Sequence, residues 1–231
     1  MRKIDKTCTL SSSYLTWETA LTASDIKPYD SSRNEFYWDV VMNLFHCQNG
    51  LCAYTEIHLC SSSYFDTANW VEGKYVNPDG TEKIQARGQL EHFDKTLKKT
   101  RPWKWDNLFM ADTDVNTKIK SQNQIDPILK PDDPSYDEKK YLAYDKSKHV
   151  FFPHPKLDPV VKERVKKMIL ALGINYSPII DARRIFITNI LKLVTFGIET
   201  WDNVCPEQFP TAVNFIKSTP GNSNHHHYHT P

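Results

Sequence analysis

Leu90-Glu91-His92-Phe93 and, beyond a basic linker, Trp105-Asp106-Asn107-Leu108-Phe109-Met110-Ala111-Asp112-Thr113-Asp114-Val115-Asn116 form the stretch whose reading decides the fold. An acidic residue stands beside a histidine, Asn107 follows His92 by 15 residues, and Asn116 lies nine further on. Such a set suits metal-assisted hydrolysis of a phosphodiester. A carboxylate and an amide oxygen are hard ligands appropriate to Mg²⁺, which keeps several waters and leaves room for phosphate oxygens. A neutral imidazole beside the ion can take a proton from water, and a second amide can hold the ring in its productive tautomer. Taken alone, the same pair also fits a structural histidine that caps a turn.

The surrounding chain has an ordinary globular composition. Its 231 residues are 39% hydrophobic and carry a net charge of +1, so any surface that attracts a polyanion must be local. The first residues carry charges without a continuous apolar core, which argues against a secretory leader. The most apolar later stretch, Ile185 to Ile198, is broken by Thr188, Asn189, Lys192 and Thr195, so no membrane span is expected. With 7 glycines the chain contains no G-x-G-x-x-G, no G-x-x-x-x-G-K-[ST] and no G-x-S-x-G, and it lacks H-E-x-x-H as well. Five cysteines at irregular spacing suggest reduced thiols and a cytoplasmic location.

Outward from the decisive stretch, Tyr37, Val40, Val41, Leu44 and Phe45 recur at helical spacing, and Gln48-Asn49-Gly50 ends the pattern. LCAYTEIHL (51–59) reads as a strand, and Asn77-Pro78-Asp79-Gly80 as a hairpin turn. Residues 1–30 read as a loosely packed arm, and Pro127 to Pro155 as a surface wrap. Asp158 and Pro159 predict a helix start and Gly173 its end. Val161, Val165, Met168, Ile169 and Leu172 lie on one face, opposite Lys162, Arg164, Lys166 and Lys167. A second helix runs from Ser177-Pro178 to Gly197, apolar on nearly every side, which suggests a partner surface around Phe186. Segment 201–231 carries a His-rich tail expected to be disordered.

The ordered set of motifs resembles the HNH endonucleases, whose ββα-metal unit sets a D/E-H pair on its first strand, N-L in a loop, and N or H on a helix. The resemblance is closest to the PtuB-type nuclease subunits of Septu and retron-associated antiphage systems. It rests on Cys52-Ala53-Tyr54-Thr55-Glu56, Leu90-Glu91-His92-Phe93, Trp105-Asp106-Asn107-Leu108, Ala111 to Asn116, Asp126-Pro127, and Leu172-Gly173-Ile174-Asn175 followed by Arg183-Arg184. It implies Glu91 and Asn116 as ligands of Mg²⁺ or Mn²⁺, His92 as general base, Asn107 as the group that steadies loop and base, and Lys118 or Lys120 as phosphate contacts. An ABC/SMC-type, PtuA-like ATPase subunit, with or without a retron reverse transcriptase and its RNA or DNA, would be the partners.

Where many HNH proteins hold zinc through two C-x-x-C pairs, this chain has Cys52, Thr55, Asp112 and Val115, so no structural zinc is expected. Tyr54, Trp103, Trp105 and Phe109 are candidates to pack the hairpin instead. The loss also admits a second class: a catalytically degenerate HNH-fold subunit that binds a partner or nucleic acid. Lys95, Lys98, Lys99, Arg101 and Lys104 crowd the linker beside His92, either as a solvated loop or as a track for a phosphate backbone. Asp114 is the expected cap of the helix that follows. The expected fold is α+β: a ββα-metal core at about 50–125 within a mostly helical domain over 31–200, with C-terminal helices at about 158–197.

Overall fold

The helix predicted from Tyr37 exists because its apolar positions fall on one buried face. In the computed structural model, which describes residues 1–21, 34–78, 80, 86–120, 123 and 125–218, it is α2 (Tyr37–Gln48). It follows a short α1 (Ser12–Ala20) and ends where Asn49 and Gly50 turn left-handed, at φ 51° and 69°. Val40, Met42, Leu44 and Phe45 of α2 are fully buried. At its last position, Gln48 binds the backbone of strand β4 twice. Its amide donates to Met110 O at 2.9 Å, and its oxygen accepts Met110 N–H at 2.9 Å.

After a one-turn α3 (Ser62–Phe65), β1 (Trp70–Val71) and β2 (Lys74–Tyr75) form a small hairpin. The central hairpin pairs β3 (Gln89–His92) with β4 (Leu108–Ala111), Glu91 facing Phe109 and His92 facing Leu108. A wide π-type turn, Val115–Ile119, leaves the end of β4. A third hairpin pairs β5 (Leu142–Asp145) with β6 (Val150–Pro153) after a short α4 (Glu138–Tyr141), and α5 (Pro159–Ala171) packs against β6. The chain closes with α6 (Ser177–Thr195) and α7 (Pro210–Lys217). No helix among the described residues is long and apolar enough to cross a membrane. The α+β class therefore holds.

Several expectations are corrected. LCAYTEIHL is not a strand: Cys52 O accepts Glu56 N–H at 3.1 Å, Glu56 turns left-handed at φ 63°, and only Leu51 and His58 bridge. Residues 1–21 are not a loose arm, because Met1, Ile4 and Tyr14 are core residues and Ile4 N–H donates to Pro131 O at 2.8 Å. Segment 127–155 is not merely a wrap, since it supplies the β5–β6 hairpin and buried Leu129, Tyr136 and Phe151. Segment 201–218 contains α7, with Val213 and Ile216 in the core. The hairpin turn read at Asn77–Gly80 involves Asp79, and the His-rich tail runs from 219; Asp79 and the tail lie outside the described residues.

Both C-terminal helices sit as predicted. The Asp158 carboxylate accepts the Val160 and Val161 N–H groups at 3.0 Å, and Gly173 turns at φ 62°. Helix α6, however, turns Phe186 inward onto Phe209, with ring centroids 6.0 Å apart, and leaves Ile185, Leu193, Phe196 and Ile198 exposed. Phe186→Glu should therefore destabilise the isolated chain by about 2 kcal/mol or more, while Phe196→Glu should stay within about 0.5 kcal/mol of wild type. Urea unfolding of both variants checks this.

Candidate nucleic-acid site and metal centre

Successive strand residues point to opposite faces, so the adjacent Glu91 and His92 diverge. Glu91 is 2% exposed, and both of its oxygens are engaged inside the protein. Tyr54 OH donates to Oε2 at 2.5 Å, and the Lys120 ammonium forms an ion pair with Oε1. Lys120 itself is 4% exposed, and its ammonium also donates to His92 O at 2.8 Å and Phe93 O at 3.0 Å. Three acceptors thus match the three protons of one ammonium. Burial pushes the Glu91 carboxyl up from its ordinary value, while Lys120 and the Tyr54 hydroxyl pull it back. Burial also holds the Tyr54 phenol well above its ordinary value, so it remains a donor.

Around the corner, His92 Nε2 lies 2.7 Å from Pro102 O. A carbonyl can only accept, so this ring nitrogen carries the proton and Nδ1 bears the lone pair of the neutral ring. Burial lowers the imidazole's pKa, with Lys98 and Lys120 adding to the effect and the Pro102 carbonyl opposing it. Asn107 closes the loop that follows His92. It accepts Asp94 N–H at 2.8 Å and donates to Asp94 O at 3.0 Å, and its own carbonyl accepts Phe93 N–H at 2.8 Å. Asn107 thus ties down the backbone of residues 93 and 94, next to His92.

Asn116 sits in the π-type turn and donates to Gln89 Oε1 at 3.2 Å. Its amide nitrogen thus pairs with Gln89, two residues before Glu91 on the same strand. Lys118 pairs with Asp114 at 2.9 Å. Lys120, expected to contact phosphate, points inward, because Glu91 and two carbonyls satisfy it there. The expected cap at Asp114 is also corrected: Asp112 Oδ1 accepts Asp114 N–H at 3.1 Å and Val115 N–H at 3.3 Å. The donor set thus does not fit a Mg²⁺ or Mn²⁺ ion. Both Glu91 oxygens are closed off, one by the Lys120 ammonium and one by the Tyr54 hydroxyl.

Outside this closed centre the surface is cationic. Asp94 caps the 3₁₀ helix Lys95–Lys99 through Thr96 N–H at 2.8 Å, and Lys95, Lys98, Lys99 and Arg101 are exposed beside His92. Trp103 is 2% exposed and lies edge-on to Trp17 at 6.0 Å, so it packs the core and cannot stack on a base. Tyr54 and Phe109 pack with Phe93 as the second part of that aromatic core.

The four positions that would hold zinc do come together. Cys52, Thr55, Asp112 and Val115 are all buried, and Asp112 N–H donates to Cys52 Sγ at 3.3 Å. An ion pair from Arg87 to Asp112, at 3.0 Å, reaches this cluster from the surface. A cleft of about 460 Å³ between segment 127–141 and α5, lined by Ile128, Tyr136, Tyr141, Leu157 and Arg164 among others, contains none of the candidate residues.

Sequence reasoning missed two members of the site. Tyr54 was read only as packing, though a tyrosine carries a hydroxyl that must find a partner when buried. Lys6 lies deep in the protein beside Asp132 at 3.1 Å and over the Phe109 ring at 4.2 Å, and burial lowers it to about 8. Its position in a polar N-terminal stretch gave no sign of burial. No family model matches the chain, and no curated protein matches it.

Proposed function

We propose that this protein is a nucleic-acid-binding subunit built on an HNH-like hairpin and turn, in which the catalytic centre is retained as scaffold. The observation that carries this reading is the contrast at Glu91. Its carboxylate is consumed internally by Tyr54 and Lys120, while Lys95, Lys98, Lys99 and Arg101 face solvent a few residues away. Cations on an exposed 3₁₀ helix and its exit can track a phosphate backbone without reading sequence, and each neutralised phosphate releases counterions.

Replacing Lys98, Lys99 and Arg101 together by Gln should weaken binding of labelled single-stranded DNA and tRNA, measured by anisotropy in EDTA. The loss should be about tenfold or more at low salt, and the slope of log K against log salt should fall by roughly two units. Unchanged affinity and slope would remove the strip from the binding surface.

A second reading is the endonuclease itself, with His92 as base, and it would need Lys120 to leave Glu91 before a divalent ion could reach that carboxylate. Its support is the His92 tautomer, whose lone pair is at Nδ1, and the loop closure by Asn107. The partner the resemblance implies, an ATPase subunit in the cytoplasm, would dock on the exposed Ile185, Leu193, Phe196 and Ile198 of the α6 region.

A further inference from the structure

We infer that the Lys120 ammonium is the resident cation of the Glu91 site, and that removing this one charge uncovers a latent divalent-metal site. The inference concerns the buried centre, and it stands apart from the surface strip that carries the nucleic-acid reading. The ammonium is surrounded by oxygen: Glu91 Oε1, His92 O at 2.8 Å and Phe93 O at 3.0 Å, with Tyr54 OH on the far carboxylate oxygen. One carboxylate and two backbone carbonyls form a hard donor set of the kind that holds small divalent cations, with waters completing the shell.

An ammonium and a divalent ion cannot share that space, and their charges repel in a buried setting where water screens little. The π-type turn Val115–Ile119 ends immediately before Lys120, and Lys120 N–H bonds back to Asn116 O and Val115 O. The backbone that delivers the ammonium is therefore anchored by the same turn that carries Asn116. A lysine stem running inward from this anchor covers the carboxylate more completely than a flexible surface side chain could.

Lys120→Met deletes the ammonium while keeping an unbranched stem of nearly the same length. The uncompensated Glu91 carboxylate then faces the His92 and Phe93 carbonyls with no cation between them. Titration of Mn²⁺, followed by electron paramagnetic resonance, should show no site on the wild-type chain that depends on Glu91. Lys120→Met should gain one Mn²⁺ per chain, bound at least tenfold tighter than by wild type and lost again in Glu91→Gln/Lys120→Met. Mn²⁺ should also raise the thermal midpoint of Lys120→Met and leave that of wild type unchanged.

A folded Lys120→Met that gains no Mn²⁺ overturns the inference. So does a wild-type chain that binds one Mn²⁺ and loses it on Glu91→Gln, because the ammonium would then yield to the ion. If Lys120→Met does not fold without metal, refolding driven by Mn²⁺ supports the inference, and failure to refold at saturating Mn²⁺ overturns it. Nucleic-acid affinity enters none of these readouts, so the inference and the proposed function fail separately.

Discussion

Glu91→Ala should cost the folded state about 3–5 kcal/mol in urea unfolding, the penalty for leaving one member of a buried ion pair without its partner. The stranded group is Lys120, 4% exposed, which keeps two carbonyl acceptors but loses the carboxylate it is paired with. The Tyr54 hydroxyl loses its acceptor in the same step. Neutralising both charges together should behave differently, because the buried charges disappear in pairs. Glu91→Gln/Lys120→Met should lie within about 2 kcal/mol of wild type, giving a favourable coupling that two independent surface residues could not show. A Glu91→Ala cost below about 1 kcal/mol would mean that water reaches the pair and that Glu91 is open to an external ion.

The second large effect is a gain. Thr55→Cys, Asp112→Cys and Val115→Cys in one chain, together with the native Cys52, should yield one tightly bound zinc per chain. The four positions are already brought together by the turn after α2 and the turn after β4, and the backbone N–H of 112 already points at the Cys52 sulfur. Burial pushes the Cys52 thiol up, and metal binding would remove that proton. A closed tetrahedral thiolate site contributes folding free energy directly, so zinc should raise the thermal midpoint by about 10 °C or more over the metal-free variant. Elemental analysis and thermal unfolding check both parts. A folded, fully reduced variant without zinc would show that these positions do not have the geometry of a metal knuckle.

How much of this was legible in the sequence differs by element, for physical reasons. Helices α2 and α5 were readable because local rules and burial agree there: a 3.6-residue apolar stripe, an aspartate cap, and glycine at a left-handed exit. Hairpin β5–β6 escaped because its left-handed turn residue is His149, at φ 55°, with no Asn-Gly or Asp-Gly to announce it. Helix α7 escaped because Phe209, itself left-handed at φ 53°, precedes it in place of a polar cap. The N-terminal segment was misjudged because Met1 and Ile4 are isolated apolar residues whose burial depends on segments more than a hundred residues away, such as Pro131 and Tyr136.

At the site, residue types were legible and side-chain directions were not. Asn107 was expected to steady both loop and base, and its amide is bonded to the backbone of Asp94 in that loop. Glu91 and Lys120 were read as facing ion and substrate. Their mutual neutralisation arises from a π-type turn that the sequence spacing does not announce, and from Tyr54, which arrives from a turn 37 residues earlier.

The central claim is that the chain grips nucleic acid through its cationic strip while its Glu91 centre stays closed. The most direct measurement incubates the wild-type chain with labelled DNA and tRNA in EDTA and in Mg²⁺ or Mn²⁺, following complex formation and strand integrity together. The account expects equal binding in all three conditions at matched ionic strength, with intact strands. Metal-dependent cleavage by the wild-type chain, abolished by His92→Ala, would contradict it.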